Sequence, residues 1–270
     1  MHDFLLLIVS LSYLGSTLLL YVSMRKSAQK ARNASIFLAA LGAVLHAAAV
    51  YLHWIPLGEN MISIFNVLSL CALVIVALQL LSLTQNEPLY PAGLITLPLA
   101  ALIVAMEWTI PAPGNLVPMG STTLSIHILS AVMAFGVLSI AAVYAFFVAL
   151  IDYFLRHHTL NRFVQNLPGL VILERQLFQL ITIGFTVLTL TLALGLSFVN
   201  DLFAQHLAHK AILALMAWMI FGILLWGRQF RGWRGRLAVG LTLAGVTLLV
   251  LAYFGSKFVL ELVLGSSWQS

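Results

Sequence analysis

The chain has 270 residues, of which 62% are hydrophobic and 8% charged, and 13 Lys and Arg against 8 Asp and Glu give a formal net charge of +5. A soluble domain carries about 25% charged residues, and one of this size still exposes a large area to water; this composition excludes it and requires lipid, which solvates apolar side chains directly. The single cysteine, Cys71, excludes an internal disulfide, a CxxC redox pair and a CxxCH haem-attachment motif.

A spanning helix needs about 20 mostly apolar residues, and eight such runs follow in chain order. The first covers 4–23. No positive segment precedes it, no small-residue cleavage site follows it, and its basic cluster comes after the apolar run, so it reads as a span and not as a cleaved secretory signal. The second, 34–55, carries His46 and His53, two helical turns apart and therefore on one face. The third is 61–83. The fourth, 89–110, is interrupted by Pro91 and Pro98. The fifth, 123–154, has no charge from Thr123 to Ile151, longer than a roughly 30 Å hydrocarbon layer requires. Between it and the sixth span lies NRFVQNLPGLVILERQ (161–176), where Pro168-Gly169 and the spacing of Leu170, Val171, Leu173 and Leu177 predict a short interfacial amphipathic helix. Glu174 would support its docking. The sixth, seventh and eighth spans are 177–199, 209–227 and 236–260. The expectation is an all-α, polytopic transmembrane bundle of about eight helices forming one domain over 1–270.

Basic residues orient this bundle. The first connection holds Arg25, Lys26, Lys30 and Arg32, the fifth Arg156, Arg162 and Arg175, and the seventh Arg228, Arg231, Arg234 and Arg236. The remaining connections and the termini hold only Lys210 and Lys257. Lys and Arg mark the cytoplasmic side, which predicts both termini outside. No basic surface interleaved with aromatic residues is present, so membrane lipid and not nucleic acid is the partner of these charges. In RQFRGWRGR (228–236), Arg and Trp suit the headgroup boundary and the glycines suit a tight turn. The segment reads as a structural, topogenic anchor.

Polar residues within the bilayer are costly, and so informative. His127, His206, His209 and His53 fall at or near predicted outer ends, and His46 lies mid-span. Imidazoles from separate helices can ligate haem iron, and Trp54, Trp108, Phe135, Phe203 and Trp218 could supply apolar walls. Histidine within a span also serves as a plain helix–helix hydrogen-bond donor, and His206 and His209 can equally be solvated loop residues. His157 and His158 read as a solvated rim beside Arg156. Asn66, Gln79 and Glu107 complete the polar set. No Walker loop, HExxH or GxSxG motif is present.

The segments LHAAAVYLH (45–53), SIHILSAVMAFGVLSIAAVYAFFVALIDY (125–153), LERQLFQLITIGFTVLTLTLALGL (173–196), HKAILALMAWMIFGILLWGRQFRGWRGR (209–236) and AYFGS (252–256) resemble the cytochrome c assembly protein family, in its CcsA- and HemX-like group and closest to its branch of short inner-membrane members. The resemblance covers almost the whole chain. It implies a multi-pass protein of the bacterial inner membrane that handles haem as its cofactor during cytochrome c-type maturation, alongside other maturation proteins, without being an enzyme. By position it implies His127 and His209 as iron ligands, with His46 similar to a histidine of an early span. Larger relatives carry a tryptophan-rich loop flanked by those two ligands, at the place of the connection between spans six and seven. Here that interval reads only SFVNDLFAQHLAH (197–209), so the surface that presents haem to an apocytochrome is missing. Two other classes remain open: an accessory subunit of another membrane complex that binds no haem, and an ion-coupled transporter using His46, Asn66 and Glu107. The second lacks buried acidic residues and inverted repeats.

Overall fold

A computed structural model describes residues 2–54, 61–62, 64–82, 90–109, 117–118, 122–157, 165, 167–198 and 208–255. Eight long helices account for most of them: α1 (His2–Lys26), α2 (Gln29–Trp54), α3 (Ile64–Ser82), α4 (Gly93–Thr109), α5 (Thr122–Arg156), α6 (Leu170–Phe198), α7 (Ala208–Arg231) and α8 (Arg236–Val250). Six are long and apolar enough to cross a membrane, and α3 and α4 are shorter apolar helices. At 1.5 Å per residue those two are about 25–30 Å long, close to the hydrocarbon thickness. The chain is thus a polytopic helical membrane protein.

Several helix boundaries differ from the sequence expectation. The third helix begins at Ile64, because Met61–Ile62 (β1) pairs antiparallel with Val117–Pro118 (β2). The predicted interfacial helix is not separate: from Leu170 onward its residues are the first turns of α6. Ile172 N–H donates to the Gly169 carbonyl at 2.9 Å, and Leu173, Gln176 and Leu177 are buried, so packing carries one helix from the predicted interfacial stretch into the sixth span. The eighth helix ends at Val250 and continues as a π-turn, Leu251–Gly255. Pro91 sits in a 3₁₀ turn (Tyr90–Ala92) ahead of α4, which leaves Pro98 as the proline within that helix.

The chain divides into two compact units, residues 1–121 with 153–172, and residues 122–152 with 173–270. In the first, α1 packs against α2 and α4, and α3 against α2 and α4. Its core is rich in small residues: Ala39, Ala43, Ala49, Ala72, Ala100 and Ala101 lie among Leu6, Val9, Val76, Leu97 and Val104. Lipid removes the usual hydrophobic drive between helices, so close backbone approach and interhelical hydrogen bonds hold such a bundle. Ser10 donates to the Ala101 carbonyl (2.9 Å), and Ser16 and Ser35 each donate to the other's carbonyl (2.8 Å both ways).

In the second unit, large side chains seat on glycines of neighbouring helices: Leu138 on Gly184, Phe185 against Gly222, and Phe221 on Gly245. The α7–α8 turn is closely tied. Trp233 N–H donates to the Gly227 carbonyl (3.2 Å), Arg228 Nη1 to the Trp233 carbonyl (3.3 Å), and Gly235 N–H to Glu174 Oε1 (2.8 Å). Gly235 takes a left-handed φ of 63°, a conformation that other residues adopt at a cost. Arg236 pairs with Asp152 at 3.1 Å. RQFRGWRGR forms this closely bonded turn, which its glycines suit, and Glu174 docks the start of α6 onto it.

Candidate functional site

Two histidines of the predicted set have described side chains, and they belong to different units. In the second unit, His127 sits in the second turn of α5, half-buried. Its ring hydrogen-bonds to the backbone of Thr191 on α6. One turn further along α6, a Cβ added at Gly195 would stand 3.1 Å from His127 Cε1, so the bare glycine is what lets the imidazole lie against the helix. Thr191 turns its own hydroxyl back to the Val187 carbonyl at 2.9 Å. The backbone of α6 therefore helps to orient His127.

Two turns further along α5, Phe135 meets Tyr253 of the π-turn edge-to-face, with centroids 5.6 Å apart. π-turns recur at functional sites because they displace a side chain from its helical register. Trp218, another predicted wall residue, stacks on Phe185 at 5.5 Å and donates from Nε1 to Thr189 Oγ1 at 2.8 Å, which fixes it on the α6–α7 seam. His209 lies in the first turn of α7, in the same unit as His127. The side chains of His209, His53 and Trp54 and all of His158, Phe203 and His206 lie outside the described residues. Trp108 belongs to the first unit and is 43% exposed.

In the first unit, His46 of α2 is fully buried and joins three helices. Its Nδ1 is 3.1 Å from the Tyr13 hydroxyl of α1, and its Nε2 is 2.7 Å from Ser69 Oγ of α3. Tyr13 and Ser69 are themselves fully buried. Both ring nitrogens are engaged, so His46 could bind a metal only by giving up one of these bonds. Asn66 is buried on α3, and Glu107 is partly buried near the end of α4. Among the described residues no three His, Cys, Asp or Glu side chains gather as a metal site.

Sequence reasoning missed Tyr13, Ser69, Thr191 and Gly195. Tyr13 had a visible signal, since Ser10, Tyr13 and Thr17 recur at helical spacing within an apolar run. Thr191 acts on His127 through its backbone, which no residue type announces.

This arrangement, apolar helical spans with one buried and one half-buried histidine each held by a neighbouring helix, defines a multi-pass membrane protein built around histidine-bearing helices. The family profile described as Cytochrome C assembly protein matches residues 2–264, and the chain belongs to that family. It is 36% identical over 245 residues to the inner membrane protein YpjD of Escherichia coli (strain K12), covering 86% of this chain and 88% of that one. It is 33% identical over 92 residues to the cytochrome c biogenesis protein CcsA of Prochlorococcus marinus (strain MIT 9303), covering 33% of this chain and 29% of that protein. A second CcsA, from Cyanophora paradoxa, is 31% identical over 85 residues. The protein resides in the inner membrane.

Proposed function

We propose that this protein binds haem in its second unit and serves c-type cytochrome maturation, with His127 and His209 as the iron ligands and no enzymatic step of its own. The observation that carries this reading is the seating of His127: its ring is held by the Thr191 backbone and lies on Gly195. An imidazole fixed in this way by a backbone group is how proteins orient metal-ligating histidines. The donor set fits the group, since imidazole is a haem-iron ligand and Phe135 and Tyr253 offer aromatic surface in the same unit. Bound haem supplies the prosthetic group that a c-type cytochrome needs. The chain's contribution is to hold and orient that group in the outer half of the bundle, beside other maturation proteins. His206 and His53 are further candidates near that side, and His46 is a candidate for a second site, which it fills by releasing Tyr13 or Ser69.

Purification from haem-replete cells tests this. The expected result is a Soret band that His127→Ala or His209→Ala shifts or removes. A colourless wild-type protein overturns it. The absent tryptophan-rich segment between the ligand candidates favours a second reading, an accessory subunit without haem, whose signature is a colourless protein that co-purifies with a stable membrane partner. Ligand-dependent flux in vesicles would instead mark a transporter working through His46, Asn66 and Glu107.

A further inference from the structure

The α7–α8 turn carries charge that the fold does not use. Four arginines fall between residues 228 and 236: Arg228, Arg231, Arg234 and Arg236. Two of them are engaged by the protein itself. Arg228 lies over the Phe178 ring at 4.6 Å and donates to the Trp233 carbonyl, and Arg236 donates to Asp152. Glu174, the carboxylate docked on this turn, accepts the Gly235 N–H. Arg231 and Arg234 are exposed, and neither pairs with a carboxylate among the described residues.

Arg231 is nevertheless held in place. Its Cζ lies over the Trp226 ring, 5.3 Å from the centroid, and Trp226 rests against Phe230 with centroids 5.5 Å apart. Both rings face outward, Trp226 at 50% and Phe230 at 71% exposure. A cation–π contact fixes a guanidinium without using any of its five N–H donors. Those donors form a planar fork that matches two oxygens of a phosphate. Gly232 and Gly235 take left-handed φ angles of 65° and 63°, so Arg231 and Arg234 stand three residues apart in one tight turn. A topogenic signal depends on the number of Lys and Arg. It does not account for a guanidinium seated on an exposed indole.

We infer that this turn is a binding site for an anionic phospholipid, whose headgroup phosphate accepts from Arg231 and Arg234 while an acyl chain lies along Trp226 and Phe230. Charge complementarity selects the headgroup. A zwitterionic lipid carries its own cation beside the phosphate, which opposes two guanidinium groups, and an anionic lipid does not. The apolar surface selects a lipid over a free phosphate. Met219 and Ile223, 49% and 53% exposed, continue the stripe of Trp226 and Phe230 along α7 at spacings of three and four residues. A soluble anion would meet the arginines and leave that stripe uncovered. A phospholipid meets both, with the indole and guanidinium at the headgroup boundary and the stripe in hydrocarbon.

Native mass spectrometry of the full-length protein in detergent, titrated with phosphatidylglycerol or phosphatidylcholine, tests this. The wild-type protein should retain phosphatidylglycerol several-fold more tightly, and equal retention overturns the inference without any variant having to fold. Arg231→Gln/Arg234→Gln should remove that preference. Lys26→Gln/Lys30→Gln takes the same charge from the exposed α1–α2 turn and should keep it. An equal loss in both pairs would mean that diffuse charge, and not a built site, attracts the lipid. Trp226→Leu leaves every charge in place and should weaken phosphatidylglycerol retention several-fold by releasing Arg231. Unchanged retention in that variant refutes the stacked arrangement. Inorganic phosphate at the lipid's concentration should not displace it, and displacement would show a site for the phosphate group alone.

Discussion

Glu174 Oε1 accepts the backbone N–H of Gly235 at 2.8 Å, across 61 residues of sequence. This carboxylate at the start of α6 caps the turn into α8, beside Trp233 on Gly227. A hydrogen bond to a charged group contributes about 1.5–3 kcal/mol, whereas an exposed ion pair gives about 0–1 kcal/mol. The Arg236–Asp152 pair, with side chains 69% and 25% exposed, is of the second kind. Glu174→Ala should therefore lower Tm in detergent by several degrees, Glu174→Gln by less, and Arg236→Gln by the least. Thermal unfolding of the three variants checks the order, and an Arg236→Gln loss equal to that of Glu174→Ala would refute it.

His46 is the second test. Removing its ring strands two buried hydroxyls, Tyr13 and Ser69. His46→Ala should cost about 2–5 kcal/mol, from lost bonds and the cavity left behind. Tyr13→Phe should cost about 1 kcal/mol. The double variant should fall short of additivity by about 0.5–3 kcal/mol, as for contacting residues. A double-mutant cycle in chemical denaturant measures this. Additive losses would mean that the Tyr13–His46 contact carries no energy.

These two relationships show what was legible in the sequence. Apolar runs of about 20 residues disclosed the eight helices because lipid imposes that length directly. The expectation failed at Leu170, where Pro168-Gly169 and the spacing of Leu170, Val171, Leu173 and Leu177 suggested a separate short interfacial helix. There Glu174 finds the Gly235 N–H and Leu173 and Leu177 find the core, so α6 continues past the usual limit. Among site residues, the histidines stood out by rarity. Their holders did not, because a serine, a tyrosine or a bare glycine is common in any span, and only the register between helices makes Ser69 or Gly195 a partner.

Orientation gives a prediction of its own. The basic connections after the first, fifth and seventh helices predict that both termini lie outside. Cys71 is the single cysteine, so a Cys71→Ala background leaves no other thiol to label. Ser27→Cys and Arg234→Cys lie in the α1–α2 and α7–α8 turns, and both should react only with cytoplasmic reagent. A cysteine placed at Lys210, near the start of α7, should react only from the outside. The reverse pattern would invert the assignment and move His127 to the inner half.

The tightest constraint on the haem reading is Gly195. A methyl group there would approach His127 Cε1 to 3.1 Å, closer than most real contacts, so the ring must shift by a few tenths of an ångström or leave its Thr191 contact. The helix itself tolerates the change, since alanine favours α-helix over glycine by about 1 kcal/mol. Gly195→Ala should therefore leave Tm unchanged or slightly raised while altering the Soret maximum and the haem content. Gly195→Leu, which fills the space, should abolish haem retention in a protein that still folds. A Gly195→Leu variant with an unaltered spectrum would show that His127 does not hold the iron. Because the readout separates stability from spectrum, a merely structural role for His127 cannot produce the same result.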